Sequence, residues 1–415
     1  MSKIKNLGFT TKVFIALLLG AVAGMIFGPA ASKIGFIGTV FLRLLRCGVV
    51  PLIFCNIVLA VANMGDVKKL GRIGVKLLII FMATTFISTA IGLATGLTIK
   101  PGAGFTLTEA VEVTEQSAPT FESIILNFFG TNIIGSMADA TMLHIISFAI
   151  ISGIGLMFMT EDDRAKVLGG MGLISRYIMA FLRLVMKFTP IGVFCLIANT
   201  IGKYGTDIFG SLGKFVLCIY IAVFIHAFIV YGLIYAFGAK KSPFKFWKLT
   251  SPIWSTSLST CSTAATMPVS LRTCEENLKL RKEVSDLTIP LGANMNMDGN
   301  GIWFGVAAAF VMQSLGLNMS LSSMIVAVLT GVLMTLGSPG IPGGIVVATT
   351  IFLQTLGLPV EFSAILAGIV SIVDMGLTTT NCIGSVVVAS VVSAGEDRRE
   401  AKLAAKAGEA EKSEA

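Results

Sequence analysis

The sequence predicts an all-α polytopic membrane protein with eight transmembrane helices and two re-entrant helical hairpins. Three observations lead there. Of the 415 residues, 54% are hydrophobic and 13% charged, and the mean hydropathy is +0.87, values that belong to a chain crossing a bilayer many times. The Lys and Arg residues fall in short clusters between apolar segments, as membrane topology demands. Polar or Gly/Pro-rich stretches interrupt apolar segments at 254–268, 294–300 and 336–344. A regular lipid-facing helix does not tolerate these, because unpaired polar groups in hydrocarbon cost several kcal/mol each.

Taken in order, a first span covers about Val13 to Phe27 and stops at Gly28 and Pro29, and a second runs from Ile37 to Asn63. A basic loop with Lys68, Lys69, Arg72 and Lys76 leads to a third span, Leu77 to Ile99, closed by Pro101 and Gly102. After an acidic segment (Glu109, Glu112, Glu115, Glu122), two short apolar pieces, Ile124 to Met137 and Met142 to Met159, read as one broken crossing ended by a turn at Glu161 to Lys166. The fifth span, Ile174 to Ile201, carries Arg176, Arg183 and Lys187 on one face, where they can snorkel. The sixth, Leu212 to Phe237, leads into Lys240, Lys241, Lys245 and Lys248.

The segment Phe246 to Thr273 reads as a hairpin whose Ser/Thr-rich tip separates two short apolar arms, entering and leaving on one side. The seventh span is interrupted at its centre. From Ser320 to Leu358, Leu336 to Gly344 puts four glycines and two prolines into nine residues, which makes a second hairpin tip entering from the other side. The eighth span, Ser363 to Val392, contains Asp374, and the tail from Ala394 reads as solvated and mobile. Placing the amino terminus inside puts the basic clusters at Lys68 to Lys76, Arg164 and Lys166, Lys240 to Lys248 and Arg272 to Lys282 on the cytoplasmic side, together with the carboxy terminus. The expected location is therefore the plasma membrane, in contact with lipid.

The net charge of +8 does not indicate nucleic acid, since the bases are dispersed among membrane loops. Cys47, Cys55, Cys195, Cys218, Cys261, Cys274 and Cys382 occur singly and, with His144 and His226, read as packing residues. No nucleophile–base pair, metal cluster or HExxH motif supports an enzyme.

The seventh span, Ile289 to Gly305, holds Asn294, Asn296, Asp298, Gly299 and Asn300 within seven positions, so it must be buried in protein and unwound there. No Lys or Arg occurs between Glu283 and Asp397, yet Asp298 and Asp374 both lie deep in apolar sequence. Two buried acids without a local basic partner need a positive charge, which a transported cation supplies, or must stay protonated. Two hairpins from opposite faces around a broken helix follow the inverted-repeat logic of secondary transporters.

Four motifs then carry a specific resemblance: STAATMP at Ser262 to Pro268, NMDG at Asn296 to Gly299, GIPGG at Gly340 to Gly344 and DMGLTTTN at Asp374 to Asn381. In this order and spacing the chain resembles the dicarboxylate/amino acid:cation symporter family over nearly its full length. The resemblance implies a homotrimer in which residues 1–76 and 102–205 form a scaffold. Residues 77–101 and 206–395 would form a transport domain that moves as an elevator, with 396–415 as a cytoplasmic tail. It implies two or more sodium sites: one from Thr84, Thr85, Asn296 and Asp298, one from Gly292, Asn296 and Asn381 with Ser385, and one from Asn294, Thr335, Leu336 and Ser338 with the Met297 sulfur nearby. For substrate it implies Asp374 at the α-amino group, Asn381 at the α-carboxylate, Thr378 beside them, and closure by Thr263 and by Ile341, Gly343 and Gly344.

Departures from the family pattern bear on specificity. Acidic amino acid transporters resemble DMGRT where this chain has Leu377, and Cys261 stands where some prokaryotic members place an arginine. A side-chain carboxylate would therefore be left uncompensated. Asn300, after NMDG, replaces the usual threonine and again points to a neutral side chain. Ser385 replaces an aspartate of one sodium site and weakens it. The expectation is sodium-coupled symport of a neutral L-amino acid, with proton coupling, another amino acid-like or dicarboxylate substrate, and a channel-like anion-conducting protein as the alternatives.

Overall fold

The computed structural model describes residues 9–63, 68–105, 129–139, 141–204, 208–335 and 344–414, and all regular structure among them is helical. The first three long helices are α1 (Phe9–Phe27), α2 (Gly35–Asn63) and α3 (Lys68–Ile99). Two short helices, α4 (Ile133–Ala138) and α5 (Met142–Leu156), follow, then α6 (Glu161–Met186) and α7 (Thr189–Tyr204). Next, α8 (Ile208–Phe224) continues through a π-helical turn at Ile225–Val230 and a second at Tyr235–Ala239. The remainder comprises α9 (Pro243–Leu249), α10 (Ser251–Thr260), α11 (Thr263–Arg272), α12 (Lys282–Met295), α13 (Asp298–Ser314), α14 (Leu321–Thr335), α15 (Gly344–Thr355), α16 (Glu361–Ala367) and α17 (Val370–Glu414).

Among the described residues, five helical stretches are long and apolar enough to cross a membrane: Leu18–Phe41, Ile73–Ile99, Glu161–Val185, Gly210–Ala239 and Ile372–Ala405. Their surroundings differ. Side chains such as Leu19, Ile26 and Phe27 on α1 and Leu173, Tyr177 and Leu184 on α6 are exposed, an apolar surface suited to lipid tails. The span within α17, by contrast, is 89% buried inside the protein and forms the centre around which the other elements gather.

The helices pack in two sets. α1 lies along α7, and α2 contacts α5, α6 and α7. In the second set α3 runs against α13, and α17 is covered by α10, α12 and α13. The α3–α13 seam is made of small residues, which lets the backbones approach closely. A Cβ at Gly305 would collide with the Thr89 carbonyl and the Leu93 amide nitrogen, and one at Gly92 with the Ile302 carbonyl. Gln313 fastens the far end of the seam: its amide donates to the Gly96 carbonyl at 3.0 Å and accepts from the Gly102 amide at 3.1 Å. Lys100 stops α3 in the left-handed conformation just before Pro101.

Several boundaries differ from the sequence reading. The bases from Lys68 to Lys76 lie on the opening turns of α3 rather than in a loop. Glu161 to Lys166 is the start of α6, not a turn, because Thr160 accepts from the Asp163 amide and the three acids occupy the first turn. The predicted fifth span is two helices, α6 and α7, with a break before Pro190, which suits a helix start. The Ser/Thr run before Cys261 belongs to α10, where Thr256, Ser257, Ser259 and Thr260 bond to their own helix carbonyls. Only Cys261, at φ +48°, and Ser262, which caps α11, form the tip. The eighth span is interrupted between α16 and α17, and the tail continues α17 as helix to Glu414. The second hairpin tip, 336–343, and the acidic segment with Glu109 to Glu122 lie outside the described residues.

Gly305→Ala is expected to destabilise the fold by about 1–3 kcal/mol, the usual range for overpacking. Gly170→Ala, in an open part of α6, is expected to be neutral or to stabilise by roughly 0.5–1 kcal/mol. Thermal unfolding of the detergent-solubilised protein checks both.

Candidate functional site

The seventh span breaks over two residues only. α12 ends at Met295, Asn296 and Met297 adopt non-helical angles, and α13 starts at Asp298. Asn296 and Asp298 are fully buried. A glycine follows because α17 presses on the break: a Cβ at Gly299 would collide with the Leu377 backbone. The Gly299 amide, an orphan donor at a helix start, donates to Asn381 Oδ1 at 2.7 Å.

Asp298 is the most heavily bonded acid of the site. Its Oδ1 accepts from the hydroxyls of Thr85 at 2.6 Å and Thr84 at 3.3 Å. Its Oδ2 accepts from the Tyr231 hydroxyl at 2.6 Å and lies 3.2 Å from His226 Nε2. The one Thr84 hydroxyl proton has two further acceptors in reach, Asn296 Oδ1 at 3.4 Å and, nearest of the three, the Phe81 carbonyl of its own helix at 3.0 Å. The set Thr84, Thr85, Asn296 and Asp298 is thus brought together around one buried carboxylate.

The predicted set around Ser385 is only loosely assembled. The Ser385 hydroxyl donates to the Asn381 carbonyl at 3.1 Å, the Asn296 amide reaches the same carbonyl at 3.5 Å, and Gly292 packs directly on Ser385. Thr263, Asn381 and Ser385, with Met267, Ser270, Ile289, Ala293 and Cys382, border a small cleft between α11, α12 and α17 whose volume of about 10 Å³ has room for roughly one water. Of the third set, Asn294 is exposed with its amide donating to the Pro290 carbonyl at 3.2 Å, Met297 is buried, and buried Thr335 donates to the Val332 carbonyl at 2.6 Å. Leu336 and Ser338 lie outside the described residues.

Among the substrate candidates, Asp374 is half-buried, and the Thr378 hydroxyl donates to its Oδ1 at 3.0 Å. Thr263 donates to the Ala293 carbonyl at 3.2 Å, tying α11 to α12, and Asn300 accepts from the Asn381 amide at 3.4 Å. Asn381 therefore holds the first turn of α13 with both ends of its side chain. Leu377 is fully buried in the apolar core, Gly344 opens α15, and Ile341 and Gly343 lie outside the described residues. The two acids are differently placed: Asp298 is enclosed and saturated with donors, whereas Asp374 keeps an accessible face. No group of three or more His, Cys, Asp or Glu side chains that could hold a metal occurs among the described residues, and the oxygen donors around Asp298 suit a hard cation.

His226 and Tyr231 correct the reading of His226 as a packing residue, and Tyr231 was not singled out at all. They are five positions apart, which on an α-helix separates two side chains by roughly 140°. The π-helical turn at Ile225–Val230 closes that angle, and the two rings meet edge to face at 4.5 Å. With Asp298 ionised, Nε2 carries the proton of the 3.2 Å contact, while Nδ1 has no partner among the described residues. The one available signal was a histidine and a tyrosine inside a strongly apolar span.

Comparison with known proteins places the whole chain. The family model described as "Sodium:dicarboxylate symporter family" matches residues 9–394. The chain is 30% identical over 362 residues to a "C4-dicarboxylate transport protein 3" of Bradyrhizobium diazoefficiens, covering 82% of this chain and 78% of that protein. It is 28% identical over 363 residues to the "Proton/glutamate-aspartate symporter" of Escherichia coli, covering 82% of each. It is 31% identical over 353 residues to a "Proton/sodium-glutamate symport protein" of Bacillus caldotenax, covering 82% and 83%.

Tyr231→Phe removes a charge-assisted bond to a buried carboxylate and is expected to cost about 1.5–3 kcal/mol in unfolding stability. In an Asp298→Asn background the same change should cost clearly less, and a double-mutant cycle measures that difference.

Proposed function

Because the chain belongs to the sodium:dicarboxylate symporter family, we propose that it is a sodium-coupled symporter of neutral L-amino acids. It is a multi-pass membrane transporter and not an enzyme. The observation that carries the cation half of the reading is the convergence of Thr84, Thr85 and Asn296 on the enclosed carboxylate of Asp298. A cation entering there would meet hydroxyl, amide and carboxylate oxygens already gathered from α3 and from the break in the seventh span. Their hydroxyl protons would have to turn away from Asp298 as it arrives. Ser385, Gly292 and Asn381 offer a second, uncharged and therefore weaker position.

The substrate half rests on Asp374, Thr378 and Asn381. A half-buried carboxylate favours a substrate with an ammonium group and repels one that is only a dicarboxylate. No Lys or Arg lies between Glu283 and Asp397, and the first hairpin tip holds Cys261, so a second substrate carboxylate would be buried unpaired. Thr263, Asn300, Leu377 and, by sequence, Ile341, Gly343 and Gly344 complete the proposed wall. The set α3, α8 and α10–α17 is read as a transport domain that slides against α1, α2, α5, α6 and α7 in each protomer of a trimer, with both termini cytoplasmic.

A second reading, uptake of a C4-dicarboxylate or an acidic amino acid with proton or sodium coupling, is favoured by the names of the similar transporters. Uptake into proteoliposomes under an inward sodium gradient separates the two. Alanine, serine, threonine or methionine should accumulate and compete, with aspartate and succinate ineffective; strong aspartate or succinate uptake with no response to neutral amino acids would sink the first reading. Asp374→Asn is expected to reduce neutral amino acid uptake about tenfold or more, a loss of ~1.4 kcal/mol or greater.

A further inference from the structure

α17 does not stop where its apolar part ends. Its next turns carry Glu396, Asp397, Arg398 and Glu400, which together bond to three places in the second helix set: Lys76, Arg281 and Gly238. Glu396 is 1% exposed and pairs with Lys76 of α3 at 2.6 Å. Arg281, immediately before α12, binds Asp397 at 2.6 Å and grips Glu400 with both terminal nitrogens, at 2.6 and 2.7 Å. The Arg281 amide also donates to Ser393 Oγ at 3.1 Å. Arg398 donates to the Gly238 carbonyl at 2.8 Å, at the end of the α8 continuation. Isolated surface ion pairs contribute little, but a buried carboxylate and a bidentate Arg–carboxylate pair within one network are the cases in which they count.

The helices joined here are those that carry the candidate cation site. Thr84 and Thr85 lie about two turns along α3 from Lys76, Asn296 lies just past the other end of α12 from Arg281, and Asn381 is further back on α17. Each helix is thus fixed at one end by charge and at the other by the hydrogen bonds around the break, so relative sliding of α3, α12 and α17 is resisted at both ends.

We propose that the charged extension of α17 is a clasp that holds α3 and α12 in register with α17 and so sets the affinity of the Asp298 site for its cation. Lys76, Arg281, Glu396 and Glu400 are its positioning residues, and the proposal rests on the reading of Asp298 as a cation ligand. Weakening the clasp lets α3 shift against the break, which spreads the Thr84 and Thr85 hydroxyls from Asp298 without removing any ligand.

Sodium-dependent uptake into proteoliposomes and backbone hydrogen exchange are measured together for wild type, Glu396→Gln, Arg281→Gln and the swapped pair Lys76→Glu with Glu396→Lys. In the two single variants the half-saturating sodium concentration should rise about fivefold, a typical coupling between linked sites, with maximal uptake retained and faster exchange in the first turns of α3 and α12. The swapped pair should recover both values. Unchanged exchange, or a half-saturating concentration within about twofold of wild type, overturns the clasp; so does failure of the swap to recover a correctly folded, exchanging protein's sodium response. Wild-type uptake indifferent to sodium overturns instead the reading of Asp298, and with it the clasp as a determinant of cation affinity.

Discussion

One carboxylate, fully enclosed and bonded to four side chains from two other segments of the chain, governs the arrangement of everything around it. Thr84 and Thr85 come from α3, His226 and Tyr231 from the continuation of α8, and Asp298 itself from the break in the seventh span. A buried charge is tolerated only where its hydrogen-bonding capacity is met, so each of these segments has to arrive at the right height. The small-residue seam between α3 and α13 and the π-helical turn of α8 are the backbone features that make this possible. The same carboxylate is one residue from α17 through Tyr231, whose hydroxyl also lies 3.1 Å from the Thr380 carbonyl, while Asn296 and Gly299 reach Asn381 from the break. The candidate cation groups and Asn381 therefore lie together inside an otherwise apolar core.

Within that network the division of labour between the two acids follows from their surroundings. Asp298 has its donors built in, so a cation there competes with existing bonds. Asp374 accepts from the Thr378 hydroxyl and is only half-buried. An enclosed acid suits an ion that arrives stripped of water, and an accessible one suits a larger group that must come and go. The similar transporters named for C4-dicarboxylates, glutamate and aspartate share the family, but the absence of any base across the long stretch from Glu283 to Asp397 sets a chemical condition of its own on this chain's substrate.

The break was legible because five polar or glycine residues within seven apolar-flanked positions have no other explanation at membrane depth, and it fell within two residues of where composition placed it. The partners of Asp298 were legible unequally. Thr84 and Thr85 followed from the family resemblance, since threonines in helices so often bond their own backbone that nothing local marks them. His226 and Tyr231 were hidden because helical periodicity assumes 3.6 residues per turn, and a π turn breaks that rule without a sequence signal. The first hairpin tip was read too wide for a related reason: hydroxyls on α10 satisfy their own helix, so a Ser/Thr run need not be a loop. The helical form of the tail went unread beside its charge. Its Ala, Glu and Lys residues are strong helix formers, and that signal was present.

The break between α12 and α13 has an electrostatic side as well. Asp298 is the first residue of α13, so the positive end of that helix's macrodipole already stabilises its negative charge, by about 0.3–1 kcal/mol in ordinary settings and up to ~2 kcal/mol in enclosed ones. Four donors act in the same sense. An ion at Oδ1 would feel a carboxylate whose field has been softened from behind, and would dwell there briefly compared with one held by a bare buried acid. A storage protein would be poorly served by such a site. A carrier that must let its ion go on the far side of the membrane, once per cycle, is well served by it.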